Sequence, residues 1–459
     1  MKRIRDNRWT WILLSMALLP AAVRAQIQTH QNGDTLRQTK HEFSIQQAVD
    51  YANKNNVEVK NALLNVKIQE QTNREVTSAA LPQISASGSY VYNAKIPVTL
   101  IPAEIFGGPA GTFEKLPFGI RHNVTGGVQL NQLLFDGQVF VGLQARESVL
   151  KFQQKNAQVT EEMIKTNIHK IYYQLVVSKQ QIELLDANIE RFEKLLQDTR
   201  VIHENGFAEK LDVDKVSVAL TNLQTEKIKA LNQIENGYIG LKLLLGMPVH
   251  DELILTDTLS YEQIRDGVLE AGNFQYNDRK EYQYAELGIK LNEYNIRRYK
   301  LSRMPTLSLN GYYNKNAQRN KFDFFGKGDW FDVSAVTLNL NVPIFTGFST
   351  KAKIQKAKLE LEQSINQREY LKISIDNDIQ VAKNNFRSAI SALDFQKKNM
   401  ELAENVFQQT KKKYESGIGS QTEINTAQTD LKTAQTNYIN SLYDAIIAKT
   451  DFLKATGKL

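Results

Sequence analysis

The chain has 459 residues, 42% of them hydrophobic, and it contains no cysteine. This is enough apolar material for a large core, and disulfide bonds cannot contribute to stability. The formal net charge of +7 falls to +3 without residues 1–25, which hold five basic residues and one acidic residue. This charge is too mild to imply a nucleic-acid partner and forms no concentrated basic stripe, so we expect none.

The first 25 residues have the layout of a secretory signal. Four basic residues precede a short apolar stretch from Trp9 to Leu19, and a cleavage site follows between Ala25 and Gln26. The stretch is too short for a membrane anchor, and no other window of about 18 apolar residues predicts a helical span. We therefore expect an exported protein that is cleaved near Ala25-Gln26 and is not lipidated, since no cysteine is available there.

A long helical pattern comes next, over residues 44–80. Ser44 and Gln47 fit a capping box at its start, and Pro82 stops the helix. After this proline the hydrophobic period changes to two, so that apolar side chains occupy one face and polar side chains the other. This pattern predicts two strands, at about 83–95 and 122–135, joined by a Pro/Gly-rich loop.

A very long helix follows, from about Gln138 to His203. Its apolar residues repeat every seven positions, which indicates coiled-coil packing, and its length is roughly 100 Å at ~1.5 Å per residue. It ends before Gly206, and a second heptad helix returns from there. The two helices therefore form an antiparallel hairpin. The residues on one heptad position are Ile168, Leu175, Ile182, Ile189 and Leu196.

The whole order of helix, strands and helical hairpin occurs twice in the chain, as an internal repeat. Leu81-Pro82 is matched by Met304-Pro305, and the segment 130–137 is matched by 340–347. The second copy predicts a helix from about Tyr276 to Arg303 and a long helix from Ser349 to Tyr414. Its strands are predicted at about 306–316 and 333–345. Gly88 and Gly311 are 223 positions apart, whereas Leu130 and Leu340 are 210 apart. The first outer loop is therefore thirteen residues longer than the second.

Four amphipathic strands in an exported chain suit the wall of an outer-membrane barrel, with lipid on one side and water on the other. No unpaired edge can remain in hydrocarbon, and a closed barrel needs about eight strands or more. Closure would then require several chains. The alternative is a small soluble sheet packed on helices, and the strand alternation and flanking tyrosines favour the barrel.

The ordered motifs resemble the TolC-like outer-membrane efflux factors. Besides the duplicated prolines, they are Glu-Asn-Gly-Phe at 204–207, Tyr-Glu-Ser-Gly-Ile-Gly at 414–419, Leu-Leu-Gly at 244–246 and Ala-Thr-Gly at 455–457. The resemblance covers essentially the whole mature chain. It implies a mainly α fold with a transmembrane β-barrel portion. That fold is a trimer with a 12-stranded barrel, four strands per chain, continued by a long α-helical coiled-coil periplasmic tunnel.

The resemblance also implies a function and partners. The family forms the exit duct of efflux pumps or type I secretion systems, as a homotrimer in outer-membrane lipid with a periplasmic adaptor and an inner-membrane transporter. The duct catalyses no reaction. A structural coiled-coil adhesin or periplasmic spacer without a pore is the alternative function. Six histidines are scattered without ligand spacing, so we expect no metal, cofactor or catalytic residue.

The expected organisation has five parts. Residues 1–25 are the signal peptide, 26–43 an N-terminal periplasmic segment and 44–245 the first structural repeat. Residues 246–275 are a linker at the equator of the tunnel, and 276–459 are the second repeat.

Two carboxylates near the hairpin tips, Asp212 and Glu423, match acidic residues that line the tunnel entrance in the family. Rings of carboxylates at a constriction attract cations. The alternative is that each acid only favours the first turn of its helix. Some relatives have an arginine that locks the entrance two residues after the second tip glycine, and Gly419 stands there in this chain.

The tips themselves are the predicted adaptor contacts. The alternative is that they are simple turns that need only their glycines. The predicted residues are Asn205, Gly206 and Phe207 in the first tip, and Ser416, Gly417, Ile418 and Gly419 in the second.

Overall fold

The computed structural model describes residues 39–259, 261–265, 274–326, 328–416 and 418–459. The predicted signal peptide and Gly417 lie outside these residues. None of the helices in the described part is long and apolar enough to cross a membrane.

The strands are β1 Lys40–Phe43, β2 Gln83–Tyr92, β3 Val98–Pro102, β4 Phe113–Pro117, β5 His122–Phe135, β6 Glu252–Leu255, β7 Thr306–Arg319 and β8 Phe331–Asn341. The helices are α1 Ile45–Asn55, α2 Val57–Ser78, α3 Gly137–Glu204, α4 Lys210–Leu245, α5 Tyr261–Arg265, α6 Lys280–Leu301, α7 Ser349–Glu415 and α8 Gln421–Ala455.

The helix predicted over residues 44–80 is two helices, and the break lies at Asn56. The predicted capping box at Ser44 is present. At the break, the Asn56 side chain accepts hydrogen bonds from the amides of Glu58 (2.8 Å) and Val59 (3.1 Å) and caps α2. The single-helix prediction was wrong because asparagine stabilises a new helix start better than a continuing helix.

Four strands form one antiparallel sheet in the order β2-β5-β7-β8. They are the four strands that the period-two pattern predicts, with ends shifted by a few residues. The longer first outer loop contains a further hairpin, in which β3 pairs with β4. The sequence analysis missed this hairpin because its strands are short and rich in proline.

Two helical hairpins continue from the sheet. In each, a helix of 68 or 67 residues runs outward and a helix of 36 or 35 residues returns. The long helices span about 100 Å at ~1.5 Å per residue. Heptad side chains are buried between the helices, as predicted. One core cluster contains Leu185, Phe192, Leu196, Leu220, Phe407 and Leu431.

The hairpins pack on each other through α3 and α8, so that α4 and α7 lie on the flanks. Asn188 of α3 donates a hydrogen bond of 3.1 Å to Gln435 Oε1 of α8, and both side chains are buried. Such a pair fixes the register of two helices, because a slipped register would leave both amides unpaired. Large apolar side chains on the flanks stay exposed in the isolated chain: Val218, Ile228 and Ile239 of α4, and Val381, Phe395 and Leu402 of α7.

The predicted linker, residues 246–275, contains two short elements. Strand β6 pairs in parallel with β1, and α5 packs beside α8 with Ile264 buried. The hydroxyl of Tyr172, on α3, donates a 2.9 Å hydrogen bond to the carbonyl of Phe43 at the end of β1. The described part of this segment is therefore packed against the long helices.

Each return helix ends at a glycine in the left-handed region, Gly246 (φ 71°) or Gly457 (φ 70°). A Cβ atom at Gly246 would lie 2.4 Å from the carbonyl oxygen of Asn55, and one at Gly457 would lie 2.6 Å from that of Asp278. Only glycine fits both the φ angle and the close approach. These contacts tie the end of each return helix to the start of its own repeat.

Candidate channel site at the sheet and the hairpin tips

The strand register separates the side chains of the sheet into two faces. Neighbouring residues along a strand point to opposite sides, and directly paired residues share a side. One row across the four strands is mainly apolar: Ile84, Leu130, Gly311 and Val336. The next row is polar throughout: Gln83, Asn131, Asn310 and Thr337.

The sheet has two unpaired edges among the described strands. Strand β2 pairs only with β5, and strand β8 pairs only with β7. Both edges are long, and their backbone N–H and C=O groups face no partner within this sheet. An apolar face combined with open edges is typical of one segment of a larger barrel.

Aromatic residues cluster at the outer end of the apolar face. The Tyr90 hydroxyl and His122 Nδ1 form a hydrogen bond of 2.8 Å. Phe322, from the loop between β7 and β8, contacts the Tyr90 ring edge-on at a centroid distance of 5.6 Å. Phe324 lies under the guanidinium of Arg319, 5.3 Å from its Cζ atom. Amphipathic rings at a strand end suit a membrane–water boundary.

The first hairpin tip is an ordered turn. Gly206 has φ 81°, and the amide of Phe207 bonds back to the carbonyl of Ile202 at 3.0 Å. A ring nitrogen of His203, Nδ1, bonds to the carbonyl of Ala208 at 2.8 Å. These bonds satisfy the end of α3 and hold the Phe207 side chain outward, where it is 86% exposed.

The second tip is closed by different bonds. The Ser416 hydroxyl donates to the carbonyl of Lys412 at 2.8 Å, and the amides of Ile418 and Gly419 both bond to the carbonyl of Lys413 at 3.0 Å. Ile418 is 83% exposed. Each tip thus presents one large exposed apolar side chain, Phe207 or Ile418. Gly417, which the sequence analysis placed in this tip, lies outside the described residues.

Gly419 occupies a position without room for a side chain. A Cβ atom there would lie 2.9 Å from the amide nitrogen of Tyr414 and 3.2 Å from the carbonyl carbon of Lys413. An arginine at this position would require the backbone to move. The turn therefore favours glycine at this position.

The two predicted entrance carboxylates occupy equivalent positions. Asp212 lies in the first turn of α4, with Lys215 Nζ 3.6 Å away, and Glu423 lies in the first turn of α8. Burial, together with the nearby carboxylates of Asp198 and Asp212, raises the pKa of Tyr414 on α7. Glu423 is exposed, and its amide bonds to the Ser420 hydroxyl at 3.2 Å.

In the described part of one chain, no contact joins Asp212 to Glu423, and no cluster of three or more His, Asp or Glu is arranged to hold a metal ion. A ring of these carboxylates would therefore have to come from several copies.

A cavity of about 420 Å³ opens between the two hairpins close to the tips. Its floor is apolar, and its rim carries both signs of charge. Sequence reasoning missed it because its two walls are far apart in the chain. The lining includes Arg191, Lys194, Asp198, Phe407, Lys411 and Tyr414.

Comparisons with known proteins agree with this geometry. The sequence model of the family "Outer membrane efflux protein" matches residues 48–247 and 277–458. TolC of Vibrio cholerae is 20% identical over 340 residues, 73% of this chain and 77% of that protein. A probable efflux pump outer membrane protein of Pseudomonas putida, TtgC, is 22% identical over 430 residues, 92% and 84% of the two chains. The solved structure of CusC shares the fold, with a TM-score of 0.74, 15% identity and coverage of 92% and 93%.

The chain therefore belongs to the outer membrane efflux protein family. It is an outer-membrane channel for efflux or secretion, and its helical tunnel lies in the periplasm. Channels of this family are trimers that pair with periplasmic adaptors and inner-membrane transporters. This assignment favours the predicted channel over the adhesin or spacer, and it places the chain among channels rather than among enzyme families.

Proposed function

We propose that three copies of this chain close one 12-stranded barrel and that their hairpins form one continuous exit duct below it. The sheet is the observation that carries this proposal, since it has one apolar face and two unpaired edges. Each unpaired backbone group in hydrocarbon costs several kcal/mol, so the β8 edge of one copy must meet the β2 edge of the next. The polar face, with its Ser, Thr, Asn and Gln side chains, then lines the pore.

The duct passes substrates that a transporter and adaptor deliver, and it performs no chemical step. Uncharged polar side chains on the pore-facing side of the sheet bind no particular substrate class strongly. Selection therefore belongs to the transporter, and the same lining suits efflux and protein secretion.

The entrance of the duct lies at the hairpin tips, and Asp212 and Glu423 form its carboxylate rings. Three copies would supply three of each acid at the narrowest point. One feature supports this assignment: both acids lie in the first turn of their return helices, next to the tips. A ring of this kind favours cations and is blocked by multivalent ones.

The adaptor contacts the tips and the cavity beside them. Phe207 and Ile418 are exposed apolar side chains on rigid turns, which is the usual character of an interface anchor. Asn205, Gly206, Ser416 and Gly419 form the turns that present them. The adjacent cavity, with an apolar floor and a charged rim, suits an apolar side chain of an adaptor helix.

The five-part organisation predicted from the sequence stays part of this proposal. Its two repeats, 44–245 and 276–459, are supported by the two ranges that the family model matches. Cleavage near Ala25-Gln26 without lipidation is a prediction about residues outside the described part of the chain.

Conductance in a planar lipid bilayer tests the proposal. Purified protein should form pores that hexamminecobalt(III) blocks from the tip side, and Asp212→Asn with Glu423→Gln should weaken the block several-fold. The matched control is Asp214→Asn with Asp430→Asn, which removes two exposed carboxylates farther along the same return helices. Protein that forms no pores would refute the channel. Unchanged block in the first double variant would refute the carboxylate rings alone.

A further inference from the structure

The first outer loop of the chain is an ordered hairpin. Strands β3 and β4 pair over five residues each, and a 3₁₀ turn, Ala103–Phe106, connects to the tip. The amide of Gly111 bonds to Glu104 Oε1 at 2.9 Å, and the amide of Ala103 bonds to the carbonyl of Thr112 at 2.9 Å. The tip backbone is thus held by specific bonds, and the loop has a fixed shape.

The side chains of this hairpin are arranged unlike those of a solvated loop. In the register, Val98 pairs with Pro117 and Pro102 pairs with Phe113, so these residues share one face with Leu100. Val98, Leu100 and Phe113 are all exposed on that face in the described part of the chain. A two-stranded hairpin with an uncovered apolar face is marginally stable in water. The exposed large side chains are Val98, Leu100, Ile105, Phe106, Phe113 and Phe118.

The hairpin lies at the boundary between copies of the chain. It leaves the sheet at the end of β2, which is an edge strand, and it returns into β5. In the trimeric barrel, the next copy's β8 lies alongside β2. The hairpin therefore emerges beside the interface that closes the barrel.

We propose that the three hairpins pack against one another across the outer mouth of the barrel and narrow it. The occupant of each apolar face is thus a second copy of this chain. This inference rests on the trimeric barrel of the proposed function. It adds a constriction at the outer end, opposite to the one at the hairpin tips.

The dimensions permit this contact. Twelve strands spaced about 4.8 Å apart and tilted by roughly 40° give a barrel radius of about 12 Å. A strand of five residues extends about 17 Å. The hairpin is therefore long enough to reach the axis from the wall.

The outer lipid leaflet is the competing occupant. Lys115 pairs directly with Leu100, so an ammonium group lies on the same face as the apolar side chains. A polar group within an apolar face is easier to accommodate in a protein contact than in hydrocarbon. The other outer loop, by contrast, places Phe322 and Phe324 against Tyr90 on the lipid-facing side of the sheet.

Cysteine cross-linking of the full-length trimer tests the inference, because the chain has no cysteine of its own. Phe106→Cys should give covalent dimers with a short bifunctional maleimide. Phe325→Cys, 91% exposed on the aromatic loop, should give none. Native mass spectrometry first establishes that both variants are trimers. If the trimer is absent, the proposed barrel fails as well; if it is present and Phe106→Cys does not cross-link, only this inference is overturned.

Two further measurements separate the occupants. Leu100→Ser with Phe113→Ser, added to Phe106→Cys, should reduce cross-linking several-fold while the trimer persists. Undiminished cross-linking would show that the apolar face is not the contact. A fluorophore attached to the Phe106→Cys variant should not be quenched by nitroxide-labelled lipids. Strong quenching would assign the hairpin to the leaflet and overturn the proposal.

Discussion

In both repeats the end of the return helix is bonded to the start of the same repeat, and we call this contact the junction. The two repeats use different side chains to make it. In the first, the Asn56 side chain caps α2 and also donates a 2.6 Å hydrogen bond to the carbonyl of Leu244, at the end of the return helix. In the second, Arg279 takes this place, donating to the carbonyl of Ala455 at 3.1 Å and pairing with Glu281. The glycines that follow, Gly246 and Gly457, keep nearly the same geometry. The fold therefore requires the junction and tolerates a change in the donor.

The repeats also differ in which helix faces outward. In the first hairpin the long helix α3 is central and the return helix α4 is on the flank, whereas in the second the return helix α8 is central and the long helix α7 is on the flank. One chain therefore has two unlike apolar flanks. Two unlike flanks that cover each other make head-to-tail contacts, and these form a ring when the rotation between copies closes, as in the family's trimers.

The largest effect should come from charging one flank. Phe395→Asp with Leu402→Asp would place carboxylates on the α7 seam of every copy, and the trimer should be lost, because burying unpaired charges costs several kcal/mol per ion. Native mass spectrometry in detergent measures this. The control is Gln408→Asp, an exposed residue that lies more than about 100° around the same helix from both side chains. A stable trimer in the double variant would show that α7 is not the seam.

The next largest effect should come from replacing the junction glycines, Gly246 and Gly457. Gly246→Ala and Gly457→Ala should each lower the free energy of unfolding by about 2–4 kcal/mol, since a Cβ atom meets a carbonyl oxygen and φ is left-handed. Urea unfolding followed by helical circular dichroism measures the change. Gly206→Ala is the matched control, with φ 81° and no neighbouring atom within 4 Å, and should cost about 1 kcal/mol. Equal costs at Gly246 and Gly206 would contradict the close approach.

Replacing the two junction donors, Asn56 and Arg279, should give losses of stability that depend differently on pH. Asn56→Ala and Arg279→Ala should each cost about 2 kcal/mol near neutral pH, because each leaves a carbonyl without its donor. Burial alone would raise the pKa of Glu281, but the Arg279 guanidinium holds it below the ordinary value of 4.5. A depressed carboxyl pKa stabilises the fold above the unfolded-state pKa, and this contribution is lost as pH falls through the folded-state pKa.

The cost of Arg279→Ala should therefore shrink near pH 3, whereas the cost of Asn56→Ala should stay constant. Urea unfolding at both pH values measures this. Parallel pH profiles for the two variants would show that the ion pair adds nothing to the junction.

The smallest effect concerns a histidine that one repeat has and the other lacks. Burial, with Lys165 nearby, lowers the pKa of His169 to about 4, and the corresponding residue in the second repeat is the exposed Gln380. A lowered histidine pKa means that stability is lost as pH falls below 6.5, since the unfolded chain takes up the proton first. Between pH 7 and pH 5, His169→Gln should remove about 1–2 kcal/mol of acid destabilisation. An unchanged unfolding profile would show that His169 does not contribute.

Much of the candidate site was predictable from the sequence, because its parts are local signals. The glycine of the first tip is marked by its place after a long heptad helix, and Asp212 and Glu423 were chosen by resemblance to the family. The structure places both acids in equivalent first turns. The cavity beside the tips was not predictable, since Phe407 and Arg191 meet only after the hairpins pack. The requirement for glycine at 419 likewise appears only in the fold, where the backbone of Tyr414 lies against it.

By itself the sequence determined the spacing at which hydrophobic residues repeat, and so which segments are helices and which are strands. Residues repeating every seven positions specify helical hairpins and residues alternating every two specify strands, because these signals depend only on local geometry. The tertiary structure decided which helix of each hairpin is central, that Asn56 breaks the first helix, and that the hairpin of β3 and β4 leaves an apolar face open. These outcomes depend on partners far apart in the chain, where alternative packings satisfy the same local pattern. Contacts such as the Asn188–Gln435 hydrogen bond select one of them.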